Sequence, residues 1–483
     1  MTGRYEHAMR RLRAGLAAGI VLGGLAACSP ENLVGNADLP SNVTDPAATE
    51  TPRGALAAYY GALITFRDAF GREYVRTTGI LSDELQDGYL GGASYGGDEA
   101  LDRRMLPAVR SSDSYQNSDW RSYRSLQRVR GEVSQALGLL RDYPPDTSSA
   151  ALRGHLYAIE GYAEVMLAEL FCSGIPLSTL DYRGDWTLRP GSTTEEVLRN
   201  ATALFDTALA LGADSARVVN LARVGRGRAL LDLGDYAGAA AAVADVPDDF
   251  SYAEQFNPAS GINVTNFAVQ SPGSIAWSFT VSDREGINGI DYRTSLDPRT
   301  AVRALSAHDA NIYGTPMFWP AKYQPDGGSP IVLADGIEAR LIQAEAALHG
   351  AGGDWLAILN ALRTNGTFTT SAPDSTGHVD TTWAAGTGHV AGLRPLTDPG
   401  DPDARVDLLF RERAAWLFLT GHRQGDLRRL VRQYGRDQVT VYPTGQYGPG
   451  SGSGTYGNDV NAPVPPDEES TNPLYHGCLN RDA

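Results

Sequence analysis

Apolar residues recur at helical spacing through much of the chain. Leu152, Leu156, Ile159, Ala163, Met166 and Leu170 alternate steps of three and four, which predicts one apolar face of a helix over Ala151–Phe171. Val197, Ala201, Leu204 and Ala208 repeat the spacing, as do Ile337, Leu341, Ala344 and Leu348. A further helix is expected from Arg405 to about Thr420, and the helical pattern opens at Thr51, with Pro52 suited to a first turn. In Leu230-Leu231-Asp232-Leu233-Gly234-Asp235-Tyr236 one helix stops at Gly234, and Asp235 can cap the next through the Ala-rich run 237–244. A helix, a tight Gly-Asp turn and a small-residue helix form the physical unit of a tetratricopeptide-like repeat. The fold class expected is mainly α, with about four degenerate helical pairs.

Between these helices lie long polar connections at roughly 86–119, 250–335, 364–403 and 436–470. Loops of this length are uncommon unless functional or unstructured, and binding residues concentrate on loops held by rigid scaffolds. Ile275 to Val281 is a short strand-like run inside the second of them. Ahead of the helical region, the stretch from Ser29 is polar and broken by Pro30, Pro40, Pro46 and Pro52, as an extended tether would be. The organisation expected is a leader over 1–27, a tether over 28–50 and one domain over 51–483.

Composition narrows the function. The 483 residues are 42% hydrophobic and 20% charged, an ordered globular balance, and the net charge is −16 with a single lysine, Lys322. A chain this acidic lacks the basic surface that nucleic-acid binding needs. The leader carries Arg10, Arg11 and Arg13 before an apolar stretch from Ala14 to Ala27, too short to span a membrane as a helix. That stretch ends Leu25-Ala26-Ala27-Cys28, where small residues ahead of a thiol fit signal peptidase and present Cys28 for lipid transfer. An ordinary secretory signal that contains a cysteine is the alternative. Removing 1–27 takes away four arginines and one glutamate and leaves about −19. Cys172 and Cys478 then remain as an even pair in an oxidising compartment, where a bridge is expected over two separate buried thiols.

Enzyme motifs fail on context. Gly92-Ala93-Ser94-Tyr95-Gly96 satisfies G-x-S-x-G, but a polar Gly loop precedes it rather than the buried strand a nucleophile elbow requires. Gly452-Ser453-Gly454-Thr455-Tyr456-Gly457 satisfies G-x-G-x-x-G, yet Asn458, Asp459 and prolines follow where a helix should begin. No spacing of the eight His suits a metal site, so no catalytic residue, metal or cofactor is expected. The aromatics remain. Sugar rings stack on Trp and Tyr, and Tyr89, Tyr95, Tyr292, Tyr313 and Trp319 sit in long connections with no helical period to explain them. They are the candidate ligand contacts, the alternative being that each pins its own loop to the scaffold. Trp120 with Tyr123, and Trp416 with Phe418, fall in helices and are expected in the core.

Several segments taken in order resemble the SusD/RagB family of outer-membrane nutrient-binding lipoproteins, over essentially the whole chain from Cys28. They are Ser29-Pro30-Glu31-Asn32-Leu33-Val34, Gly79-Ile80-Leu81-Ser82-Asp83-Glu84, the run Leu167 to Leu177, and Arg340 to Ala346. Arg411-Glu412-Arg413 followed by Gly421 to Arg429 continues the series, and Pro463-Val464-Pro465-Pro466-Asp467-Glu468 closes it, with Pro466 where the family usually has Gln. The resemblance implies four tetratricopeptide-like pairs packed against a loop-rich ligand-binding subdomain. It implies an oligosaccharide or peptide ligand, no chemistry, and a SusC-like TonB-dependent transporter as partner. The residues themselves place Asp83, Glu84, Glu412, Arg413, His422, Arg423, Asp426, Arg428 and Arg429 as buried polar fasteners rather than catalytic groups. The competing readings are a repeat-type envelope adaptor without nutrient ligand, and an exported hydrolase.

Overall fold

In the computed structural model, residues 49–87, 98–106, 118–145, 149–260, 267, 279–304, 317–323, 327–365, 368–370, 381–383, 393–447 and 454–483 are described. Ten helices carry the architecture: α1 (Pro52–Asp68), α2 (Ser118–Asp142), α3 (Ser149–Leu170), α4 (Thr194–Leu211), α5 (Ala216–Asp232), α6 (Tyr236–Val243), α7 (Gly336–Leu348), α8 (Trp355–Asn365), α9 (Pro402–Trp416) and α10 (Arg423–Arg432). They pack as four successive pairs, α1 with α2, α3 with α4, α5 with α6 and α7 with α8, each pair also touching the next. The fold is mainly α, and the strands among the described residues form only two-stranded antiparallel ladders.

Local chemistry sets the helix ends. Thr51 accepts from Gly54 N at 3.0 Å with Pro52 at the first position of α1, Thr193 and Glu196 form a reciprocal box at α4, and Asp335 accepts from Glu338 N at 2.7 Å to start α7. The predicted turn is present: Gly234 takes φ +77° after α5, and Asp235 accepts from Gly238 N at 2.9 Å to start α6. The helix expected from Arg405 begins earlier, because Asp401 caps it ahead of Pro402. It ends at Trp416 because Leu419 at φ +52° and Gly421 at φ +83° turn the chain back.

The first expectation for α3 understates it. A single apolar face was foreseen, but nearly every residue from Gly154 to Leu170 is buried. Close approach makes this possible: a Cβ on Gly161 or Gly225 would stand 2.8 or 2.4 Å from the Phe205 ring, so α3, α4 and α5 meet only because those positions are Gly. Two carboxylates on this buried helix are paired across to neighbouring elements. Glu164 takes Arg130 Nε at 3.0 Å and Asn200 Nδ2 at 2.7 Å, and Glu169 takes Arg228 Nε at 2.7 Å and the Tyr74 hydroxyl at 2.6 Å.

Just past α3, Cys172 is bonded to Cys478, with Cα atoms 5.9 Å apart across 306 residues of sequence. Backbone bonds from Ser173 N to Asn480 O (3.0 Å) and Leu479 N to Ser173 O (2.8 Å) flank the bridge and fasten the C-terminal segment to the scaffold. Closing so long a loop restricts the unfolded chain. Replacing both cysteines by Ser is expected to lower stability by about 2–4 kcal/mol, read as a lower melting temperature that dithiothreitol reproduces in the parent; unchanged melting would remove the bridge from the stability account.

Candidate functional site

The loop-rich side is built on a buried acidic corner. The helix Val75–Leu81 ends at Ser82, and the chain then turns Asp83 and Glu84 inward. Asp83 receives a two-pronged contact from Arg423, Nε to Oδ1 at 2.6 Å and Nη2 to Oδ2 at 2.8 Å, and also accepts from Ile290 N at 3.1 Å. Glu84 accepts from Leu419 N at 2.7 Å, while its own carbonyl accepts from Ser282 N at 3.0 Å. One dipeptide thus joins α10, the α9–α10 turn and the segment 282–290.

Strands carry that order outward. Leu85–Asp87 pairs with Phe279–Val281, Val302–Ala304 pairs with Phe318–Pro320, and Phe318 N donates to Thr280 Oγ1 at 2.9 Å to link the two ladders. Asp87, Phe279, Ala304 and Met317 are where the segments 88–97, 268–278 and 305–316 leave the described structure, so their roots converge on one platform.

Tyr89, Tyr95 and Tyr313 belong to those segments and lie outside the described residues, as does Cys28. The other two aromatic candidates are corrected. Tyr292 is 1% exposed, stacked on Phe418 with centroids 5.0 Å apart, its hydroxyl aimed at Asp83. Trp319 is 5% exposed on its strand. Neither offers a free ring face; both root the loops, because an apolar residue beside a buried ion pair is more stable inside than wet. The Arg293 guanidinium lies 4.0 Å from the centroid of Phe318, covering that strand from outside.

The polar fasteners are where the sequence puts them. Arg413 meets Asp426 at 2.8 Å, and Arg429 meets Asp232 (2.8 Å), Glu345 (3.1 Å) and Asp426 (2.6 Å). Burial alone would raise Asp426, but Arg413 and Arg429 outweigh it and hold the carboxyl far below the usual range. His422 is buried, with Nδ1 at 2.9 Å from Thr420 Oγ1 and Nε2 at 3.1 Å from Glu338. Burial and the surrounding arginines push its pKa well down. It has no open face toward a substrate. Lys322 donates to the Phe418 carbonyl, and burial brings its pKa down to about 7.

Gly454 to Gly457 forms part of an irregular hairpin, with Tyr447 N bonded to Gly454 O at 3.0 Å and no helix following directly, so it presents no helix terminus to a phosphate. Among the described residues no cluster of His, Cys, Asp and Glu could hold a metal ion, and no helix is long and apolar enough to cross a membrane. One residue escaped the sequence reading. Trp186 is 66% exposed. Its signal was available: Tyr182-Arg183-Gly184-Asp185-Trp186 is a turn sequence with no helical period.

No family model matches the chain, and no curated protein matches its sequence. Solved structures do match its fold. A SusD superfamily protein from Bacteroides thetaiotaomicron aligns with TM-score 0.63 at 14% identity, over 89% of this chain and 100% of that one. A SusD-like carbohydrate-binding protein from Bacteroides vulgatus aligns at 0.60 and 13%, over 88% and 97%. A laminarin-binding SusD-like protein aligns at 0.59 and 15%, over 89% and 99%. The chain has the fold of the SusD superfamily proteins.

Glu84 provides a test of the corner. Burial, against the Leu419 amide and with Asp83 adding to it, raises its pKa to about 8 from 4.5. The folded state therefore binds a proton that the unfolded chain releases, so this contribution to stability is full below 4.5 and is lost as pH rises through 8. In Glu84→Gln, which keeps a neutral group of the same shape, melting temperature is expected to fall less than in the parent between those two pH values. Parallel curves would show that Glu84 is ionised in the fold.

Proposed function

We propose that this chain is a lipid-anchored outer-membrane protein of the SusD/RagB kind that holds an oligosaccharide and passes it to a SusC-like TonB-dependent transporter. The observation that carries the reading is the fold shared with carbohydrate-binding proteins over nearly the full length of both chains, combined with a rigid platform on which aromatic-bearing segments converge. Tyr89, Tyr95 and Tyr313 are the ligand contacts in this reading, Tyr292 and Trp319 having been withdrawn into the platform.

The chemistry agrees. Asp83 is held by Arg423, Glu84 by the Leu419 amide and Asp426 by Arg413, which favours a binding role for the loop side over bond-breaking. The leader supports the location: Leu25-Ala26-Ala27-Cys28 presents a thiol for acylation, and the multiple chains of a bacterial lipoprotein anchor firmly where one alone would not. An envelope adaptor would need the helical surface but not the aromatic loops.

Two measurements test this together. Cys28→Ala is expected to move the full chain from the membrane fraction to the soluble one. Replacing Tyr89, Tyr95 and Tyr313 together by Ala is expected to cut retention in affinity electrophoresis on laminarin, amylopectin or arabinoxylan by tenfold or more while melting is unchanged. A parent chain that is never acylated, retains none of these glycans and copurifies with no barrel would sink the proposal.

A further inference from the structure

A second groove lies on the helical scaffold rather than on the loop platform. It has a volume of about 790 Å³, inside the range of roughly 300–1,000 Å³ typical of small-ligand sites, and runs between α2, the hairpin 179–187 and the short helix Asp467–Thr471. Trp186 forms one wall with Leu180 and Leu188, while Gln135, Glu132 and Glu468 supply polar groups.

The indole is exposed, yet its backbone is held. Leu180 pairs with Trp186 across the hairpin, and Asp181 Oδ1 accepts from Arg183 N (2.8 Å) and Asp185 N (2.9 Å) to set the turn. Tyr182 clamps the hairpin to α2: its hydroxyl donates to Asp142 at 2.7 Å, and its ring fills the space above Gly138, where a Cβ would stand 2.7 Å away. Below, Asn472 Nδ2 donates to the Arg189 carbonyl at 2.9 Å, tying the hairpin's exit to the C-terminal helix. An exposed tryptophan held this firmly loses little conformational freedom when something stacks on it.

The polar groups are also set in advance. Glu132 accepts from Thr65 (2.6 Å) and Arg128 (2.7 Å), and Glu468 accepts from Tyr123 (3.0 Å) and Asn472 (3.2 Å). Each carboxylate keeps lone pairs for further donors. The wall is thus a flat aromatic face beside fixed acceptors and the amides of Gln127, Gln135 and Asn472, with its arginine, Arg128, paired to Glu132. Hydroxyl donors on a neutral ring with an apolar face satisfy both halves; a polyanion would meet Glu132 and Glu468 unfavourably.

We infer that this groove is a second glycan-binding site, in which a neutral sugar ring stacks on Trp186 and its hydroxyls donate to Glu132, Glu468 and Gln135. The inference rests on the glycan-binding reading above. Its role follows from geometry: two sites on one body let a long polymer engage both, so retention on polymer exceeds what either site gives alone.

Gly131 makes the test clean. It lines the groove, and a Cβ added there meets nothing within 4 Å, so Gly131→Trp fills the space without disturbing the helix packing. In affinity electrophoresis on laminarin, amylopectin and arabinoxylan, Trp186→Ala and Gly131→Trp are each expected to weaken retention about fivefold on the polymer the parent retains, with unchanged melting. Trp186→Tyr should recover most of the loss. If both variants are retained like the parent while the triple tyrosine variant is not, the groove is no glycan site and the main function stands. If they keep full retention but lose copurification with a barrel, the wall is a protein contact and the inference is overturned. A parent retained on none of the three polymers would overturn the inference, and acylation with barrel copurification would then decide the function separately.

Discussion

The structure depends on charge neutralisation along α10. Arg423 reaches Asp83 at the loop corner, Arg429 reaches Asp232 at the end of α5 and Glu345 on α7, and Asp426 returns the charge to Arg413 on α9. Four separate parts of the chain are joined through one ten-residue helix. Leaving one partner of such a buried set unpaired costs about 3–5 kcal/mol, whereas complete pairing can break even. The contacts therefore act less as a source of stability than as a condition on register: helices α5, α7 and α9 are all satisfied in one relative arrangement.

This dependence explains why the loop side is rigid at its base. Apolar packing is tolerant of small slides, but a two-pronged guanidinium–carboxylate contact is directional. Asp83 cannot reach Arg423 unless the helix Val75–Leu81 ends where it does, and Ile290 cannot donate to Asp83 unless the 282–290 segment follows it in. The platform from which the segments carrying Tyr89, Tyr95 and Tyr313 depart is consequently specified by residues far from those tyrosines in sequence.

Much of this was legible in the amino-acid order. The three-four spacing of apolar residues located α3, α4 and α7, and Gly234-Asp235 marked the α5–α6 turn because a left-handed backbone and a side-chain cap have few residue solutions. The fasteners were legible as well, since so many charges beside Gly421 and apolar neighbours cannot all face water. Burial of individual loop aromatics was not. Tyr292 and Trp319 carry no local mark of burial, and what buries them is a contact with Asp83 over 200 residues away or a strand partner 16 residues away. Trp186 stands in a turn sequence with no helical period, which sets it apart from the core, but whether a neighbour packs on its ring is decided by the rest of the fold.

The loop roots at Asp87, Phe279, Ala304 and Phe318 are anchored to one another and to the corner by contacts among the described residues. None of those anchoring contacts uses a side chain from 88–97 or 305–316. The parts that hold the platform are thus distinct in sequence from the segments that depart from it.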